Sequence, residues 1–126
     1  MQAYVPTRLD VTVTFDGGLW VNSPDPWFGM SSEFDRASDV YVTFAGSEGV
    51  TFGGFAPPTA AGVHRKRIYN VGSLEIEIYN FRAGLGEPDA GDPGMIMGAN
   101  RVLEPGEAAR LVNDPTGHRW LVNNGA

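Results

Sequence analysis

The chain has 126 residues, enough for one domain around a single core, and its 42% hydrophobic content is too high for a disordered segment. Nine basic residues stand against fifteen acidic ones, a formal charge of −6, which excludes a strong grip on a phosphate backbone. There is no cysteine, so disulfides, thiolate chemistry and Cys-ligated zinc are excluded.

Residues 1–7 are expected to form an extended N-terminal arm. They carry neither the basic nor the apolar region of a signal peptide. Leu9, Val11, Val13 and Phe15 then alternate with Asp10, Thr12, Thr14 and Asp16, the period of a half-buried strand. Asp16-Gly17-Gly18 predicts a tight turn and Leu19-Trp20-Val21 a return strand, together a hairpin. Over residues 22–39 the alternation fails, and Ser23-Pro24-Asp25-Pro26 cannot enter a ladder. This predicts a long surface loop with a helical turn near residues 32–36.

Val40, Val42 and Phe44 mark the next strand, Gly46-Ser47-Glu48-Gly49 its turn, and Val50-Thr51-Phe52 the return. The prolines after Gly53-Gly54-Phe55 break the ladder. Strands over residues 65–70 and 74–80 flank Val71-Gly72-Ser73. In the second, Leu74, Ile76 and Ile78 face the core, and Glu75, Glu77 and Tyr79 face outward. Residues 83–94 read as an irregular loop, and 95–103 as a strand kinked at Gly98. Glu104-Pro105-Gly106-Glu107 predicts a type II turn with Gly106 at positive φ. Residues 108–112 and 118–122 complete the set, with no repeat of fixed period. The expected fold is all-β: an antiparallel two-sheet sandwich, jelly-roll-like by strand count, with long loops and little helix. It occupies residues 1–126 as a single domain.

The order Ile68-Tyr69-Asn70-Val71-Gly72, then Asn100-Arg101, Leu103-Glu104-Pro105-Gly106-Glu107, Asp114 and Arg119-Trp120 resembles small β-sandwich domains of tailed-phage virion proteins. These are capsid decoration (cement) proteins, head fibres and tail-fibre modules. The similarity spans roughly residues 50–122. Asn70 and Gly72 suit a tight turn that uses side-chain-to-backbone bonds and positive φ, and Trp120 suits a core plug on the last strand. Two features depart from the pattern. The loop after residue 83 is Gly/Pro/Asp-rich rather than short and Ser-rich, and the chain carries no fibre shaft.

The resemblance implies a decoration protein on the capsid surface of a virion, made in the host cytoplasm. Its partner is then the major capsid protein, and it assembles as a homotrimer. The alternative is a head-fibre, spike or tail-tip component that contacts the host surface, with a glycan as one ligand. Capsid contact is expected from the arm, through Tyr4 and Val5, and from the aromatic loop, through Trp27 and Phe28. The competing view of that loop is a lid folded over the open end of the sandwich. Tyr69, Tyr79 and Phe81, with strand 74–80, are the candidate self-association surface.

No catalytic constellation appears. His64 and His118 have no triad or HExxH partner and read as solvated. Glu87, Asp89 and Asp92 lack EF-hand spacing, while Asp10 and Asp16 sit on a solvated strand face. Arg65-Lys66-Arg67 reads as a solvated strand start, with a docking patch for an acidic neighbour as the sharper alternative. No metal, cofactor, nucleic acid or membrane is expected, and no run approaches the ~18 apolar residues that span a bilayer.

Overall fold

Period-two alternation gives each short run one apolar face, and the chain buries those faces between two sheets. The computed structural model describes residues 7–19, 28–55, 58–78, 95–97, 101–114 and 119–124. Among them are strands β1 (Arg8–Val13), β2 (Gly17–Leu19), β3 (Asp39–Phe44), β4 (Val50–Phe52) and β5 (Arg65–Asn70). They continue with β6 (Ile76–Ile78), β7 (Met95–Met97), β8 (Arg101–Leu103), β9 (Ala108–Asp114) and β10 (Arg119–Asn124). One sheet has six strands in the order β1-β3-β5-β9-β10-β7; the other has four, β2-β4-β6-β8. The all-β two-sheet sandwich expected from the sequence is the architecture found.

Strand direction and connection differ from the expected antiparallel, jelly-roll-like pairing. β1, β3 and β5 are parallel neighbours, and so are β2, β4 and β6. β10 and β7 are also parallel, whereas β5–β9, β9–β10 and β6–β8 are antiparallel. The chain crosses to the other sheet at each of its first turns, so β1–β2, β3–β4 and β5–β6 are successive turns of a coil rather than hairpins. A jelly roll, built from antiparallel Greek keys, is not this pairing. The single strand expected over residues 95–103 is likewise two, β7 and β8, in different sheets.

Asp16 supplies the physical reason. Its carboxylate accepts the N–H groups of Ser47 at 2.8 Å, Glu48 at 2.5 Å and Gly49 at 3.3 Å, and Gly17 N–H donates to Gly49 O at 2.8 Å. The residues that resemble a hairpin turn are therefore bonded to the next turn of the coil. Gly17 and Gly49, at φ of 108° and 121°, provide the left-handed backbone that the crossing needs.

Parallel pairing aligns inward residues into rows: Leu9, Val40 and Ile68 in one, Val11, Val42 and Asn70 in the next. Val50, Phe52, Ile76, Ile78 and Leu103 close the core from the other layer. Trp120 is fully buried, as the sequence suggested, and meets Phe34 edge-on at 6.4 Å. Phe34 belongs to α1 (Ser32–Arg36), capped by Ser31, whose hydroxyl accepts Phe34 N–H at 3.1 Å.

Lys66 corrects the solvated reading of the basic run. It is 1% exposed, and its ammonium donates to the carbonyls of Phe34, Asp35 and Ala37 at the C-terminal end of α1. Burial pulls its pKa down to about 8, with Asp35 opposing, so it still holds three donors at neutral pH. Arg65 is exposed and Arg67 half-buried, with the opposite phase of the strand.

The two turn motifs behave differently. Gly106 has φ of 89° and Glu107 N–H donates to Glu104 O at 2.9 Å, as the Pro-Gly sequence requires. Gly72 does not take positive φ. It is small for a different reason: a Cβ there would lie 3.2 Å from Phe44 N and 3.3 Å from Thr43 Cγ2.

Candidate interaction surface

Of the seven residues named as contacts from the sequence, the described residues include two. Tyr4, Val5, Trp27, Tyr79 and Phe81 lie outside them, as do Trp20, His118 and the Glu87, Asp89 and Asp92 loop. Phe28 is half-buried against the core, its ring 5.5 Å from Phe52, 5.9 Å from Phe34 and 6.0 Å from Phe55. Its ring is thus packed against the core.

Tyr69 stands on the outer face of the six-stranded sheet. Strand 74–80 contributes β6 to the other sheet, with Glu77 on the far outer face. Tyr69 and that strand therefore do not form one surface. What Tyr69 does share is a lateral row with Asp10 and Tyr41, its partners across β1 and β3. Its ring stacks on Tyr41 at 4.5 Å with a 7° interplanar angle, and the Arg8 guanidinium lies 3.8 Å from the other side of the Tyr41 ring.

Polar groups fix this ladder in place. Arg8 pairs with Asp10 at 2.9 Å, which lowers the Asp10 pKa and raises that of Arg8. The Tyr69 hydroxyl donates to Asp39 at 3.1 Å, and Asp39 also accepts from Ser38 at 3.2 Å. Burial pushes the Tyr69 pKa up; a bond from Arg67 opposes this and the Asp39 contact reinforces it. Arg8, Asp39, Arg67 and Arg110 form the adjoining row. Sequence reasoning missed Tyr41, because the stack depends on a lateral partner in another turn of the coil.

The opposite outer face is acidic and concave. A hollow of about 450 Å3 there is lined by Asp16, Glu48, Glu75, Glu77, Thr51 and Val102. Thr51 donates to Glu77 at 3.3 Å. No group of three or more His, Cys, Asp or Glu among the described residues could hold a metal ion, and no helix there is long and apolar enough to cross a membrane.

Within this hollow the carboxylate of Asp16 is expected to make the coil's stability depend on pH. Backbone N–H donors, Glu48 first, hold its pKa below the ordinary 3.8. A depressed carboxyl pKa contributes stability above 3.8 that is lost as pH falls through the folded-state value. Asp16→Ala is thus expected to lower the thermal midpoint at neutral pH, by an amount that shrinks at acid pH as the carboxylate is protonated. Melting curves at neutral and acid pH check this; a constant difference would mean that the carboxylate's charge is irrelevant. No protein-family model, curated protein or solved structure matches the chain.

Proposed function

We propose that this chain is a bacteriophage capsid decoration protein. It binds the major capsid protein on the assembled shell, as a homo-oligomer, and stabilises the head by adhesion rather than chemistry. One observation carries the reading: two of the motifs behind the sequence resemblance, Ile68-Tyr69-Asn70-Val71-Gly72 and Leu103-Glu104-Pro105-Gly106-Glu107, meet in space and bond to one another. Asn70 N–H donates to Glu107 O at 2.9 Å, Gly106 N–H donates to Asn70 O at 2.8 Å, and the Asn70 side chain donates to Leu103 O at 2.8 Å. These two motifs therefore form one folding module, with the outer sheet faces left over for contact.

The Arg8–Tyr41–Tyr69 ladder suits docking on a protein. Tyrosine and arginine are the residues that carry interface energy, and groups already held in place lose little entropy on binding. The host-surface alternative draws on Trp20, Trp27 and Tyr79. The described tyrosine faces are stacked against each other and against Arg8, leaving less ring surface for a sugar, so capsid adhesion is preferred.

Heating purified particles with and without the protein tests the proposal. The coated heads are expected to rupture at the higher temperature, with many copies visible on the head by imaging. An unchanged rupture temperature, or copies confined to the tail, would remove it.

A further inference from the structure

β1 is the outermost strand of the six-stranded sheet, and among the described residues it pairs with β3 alone. Its ladder tells which backbone groups it leaves over. Ser38 and Asp39 N–H donate to Thr7 O at 2.9 and 3.2 Å, and Ala45 N–H donates to Val13 O at 2.8 Å. Successive strand residues direct their N–H and C=O groups to opposite sides. Residues 7, 9, 11 and 13 therefore face β3, while Arg8, Asp10 and Thr12 present theirs to the open edge. The side chains of these three are exposed on the outer face.

The core is also open along this edge. Leu9 and Val11 point inward yet are only half-buried, whereas Val40, Val42 and Ile68, which continue their rows, are completely buried. Proteins blunt such edges with proline, a bulge or charged side chains. β1 has neither proline nor bulge: Arg-Leu-Asp-Val-Thr-Val runs in unbroken register with β3. Its two charges are of opposite sign, so they repel a strand of like charge but suit a copy of themselves. Its charges are placed in a self-complementary way, Arg8 and Asp10 two residues apart on one face.

We infer that β1 pairs antiparallel with β1 of a second copy of this chain, about a two-fold axis through Leu9. In that register Arg8 lies opposite Asp10 of the second copy, and Asp10 opposite its Arg8. Both are residues whose backbone groups reach the edge, so each such pair is doubly hydrogen-bonded. Leu9 meets Leu9 on the inner side and covers the exposed end of the core. A one-residue shift sets inward against outward side chains, and a two-residue shift places Asp10 against Asp10 on the axis. The contact is isologous and closes on itself. It does not rest on the capsid reading.

Sedimentation of the purified chain across the micromolar range is the test, with circular dichroism to confirm folding. The expected result is a concentration-dependent dimer. Asp10→Pro removes an N–H that the β1–β3 ladder does not use, so it should leave a folded monomer. Arg8→Asp sets carboxylates against each other at both ends of the contact and should weaken the dimer about thirty-fold. The exchange Arg8→Asp with Asp10→Arg restores opposite charges across the axis and should recover wild-type association. If Asp10→Pro does not fold, the charge variants decide alone. A monomer throughout, a trimer, a dimer insensitive to Arg8→Asp, or an exchange variant no better than Arg8→Asp would each overturn the inference.

Discussion

Asn70→Leu is expected to destabilise the fold by about 3–5 kcal/mol and to lower the thermal midpoint by roughly 10–15 °C. The side chain is wholly buried. Its amide donates to Leu74 O and Leu103 O, both at 2.8 Å, and its oxygen accepts Gly72 N–H at 3.1 Å. Leucine matches the shape but leaves two carbonyls and one N–H without that partner, at about 1–3 kcal/mol for each group fully out of water. The backbone bonds from residue 70 to Gly106 and Glu107 survive, so the loss isolates the side chain. Asn70→Asp provides the control. It keeps the acceptor for Gly72 but turns an oxygen toward two carbonyls, which with burial raises the folded-state pKa of the new carboxyl. A raised pKa makes that variant most stable below the unfolded value of about 3.9, with stability falling as pH rises through the folded one. Urea unfolding across pH measures both. A loss below about 1 kcal/mol for Asn70→Leu would show that the turns hold without it.

Local chemistry was readable wherever its cause was local. The alternation gave β1, β3 and β5, the Pro-Gly pair gave the turn with Gly106 at φ of 89°, and the Ser31 cap falls at the helical turn expected near residue 32. Sheet membership was not readable. A run, a glycine turn and a second run look the same whether the second strand returns beside the first or crosses to the opposite layer. Asp16 decides between these, and its partners are Ser47, Glu48 and Gly49 in the next turn of the coil. The coil itself stays hidden because its spacing varies. Leu9 pairs with Val40 and Val40 with Ile68, which are unequal steps with no period to detect. The interaction surface divides in the same way: Tyr69 could be named from its strand, but its stacking partner Tyr41 could not.

The phase of β5 did contain the position of Lys66, since it shares parity with Ile68 and Asn70, yet the cost of burying an ammonium made solvent the natural default. Three carbonyls change that balance. Lysine here acts as the C-terminal partner of α1, filling acceptors at the helix end that no further turn supplies. Lys66→Met keeps most of the volume and removes the donors, with an expected loss of about 1–3 kcal/mol. Lys66→Ala adds a cavity under Phe34 and Trp120, whose rings lie 4.7 and 5.8 Å from the ammonium, and the loss should reach about 3–5 kcal/mol. The two variants should also differ in where they act. Carbonyls freed by Lys66→Met belong to α1, so the damage starts there: the Ala37 N–H, bonded to Phe34 O at 3.2 Å, should exchange with solvent faster than amides of β3 or β9. Lys66→Ala opens the core and should speed exchange in the sheet as well. Uniform acceleration in Lys66→Met would mean that the lysine supports the whole sandwich, and unchanged exchange at Ala37 would mean that α1 is held by its aromatic contacts alone.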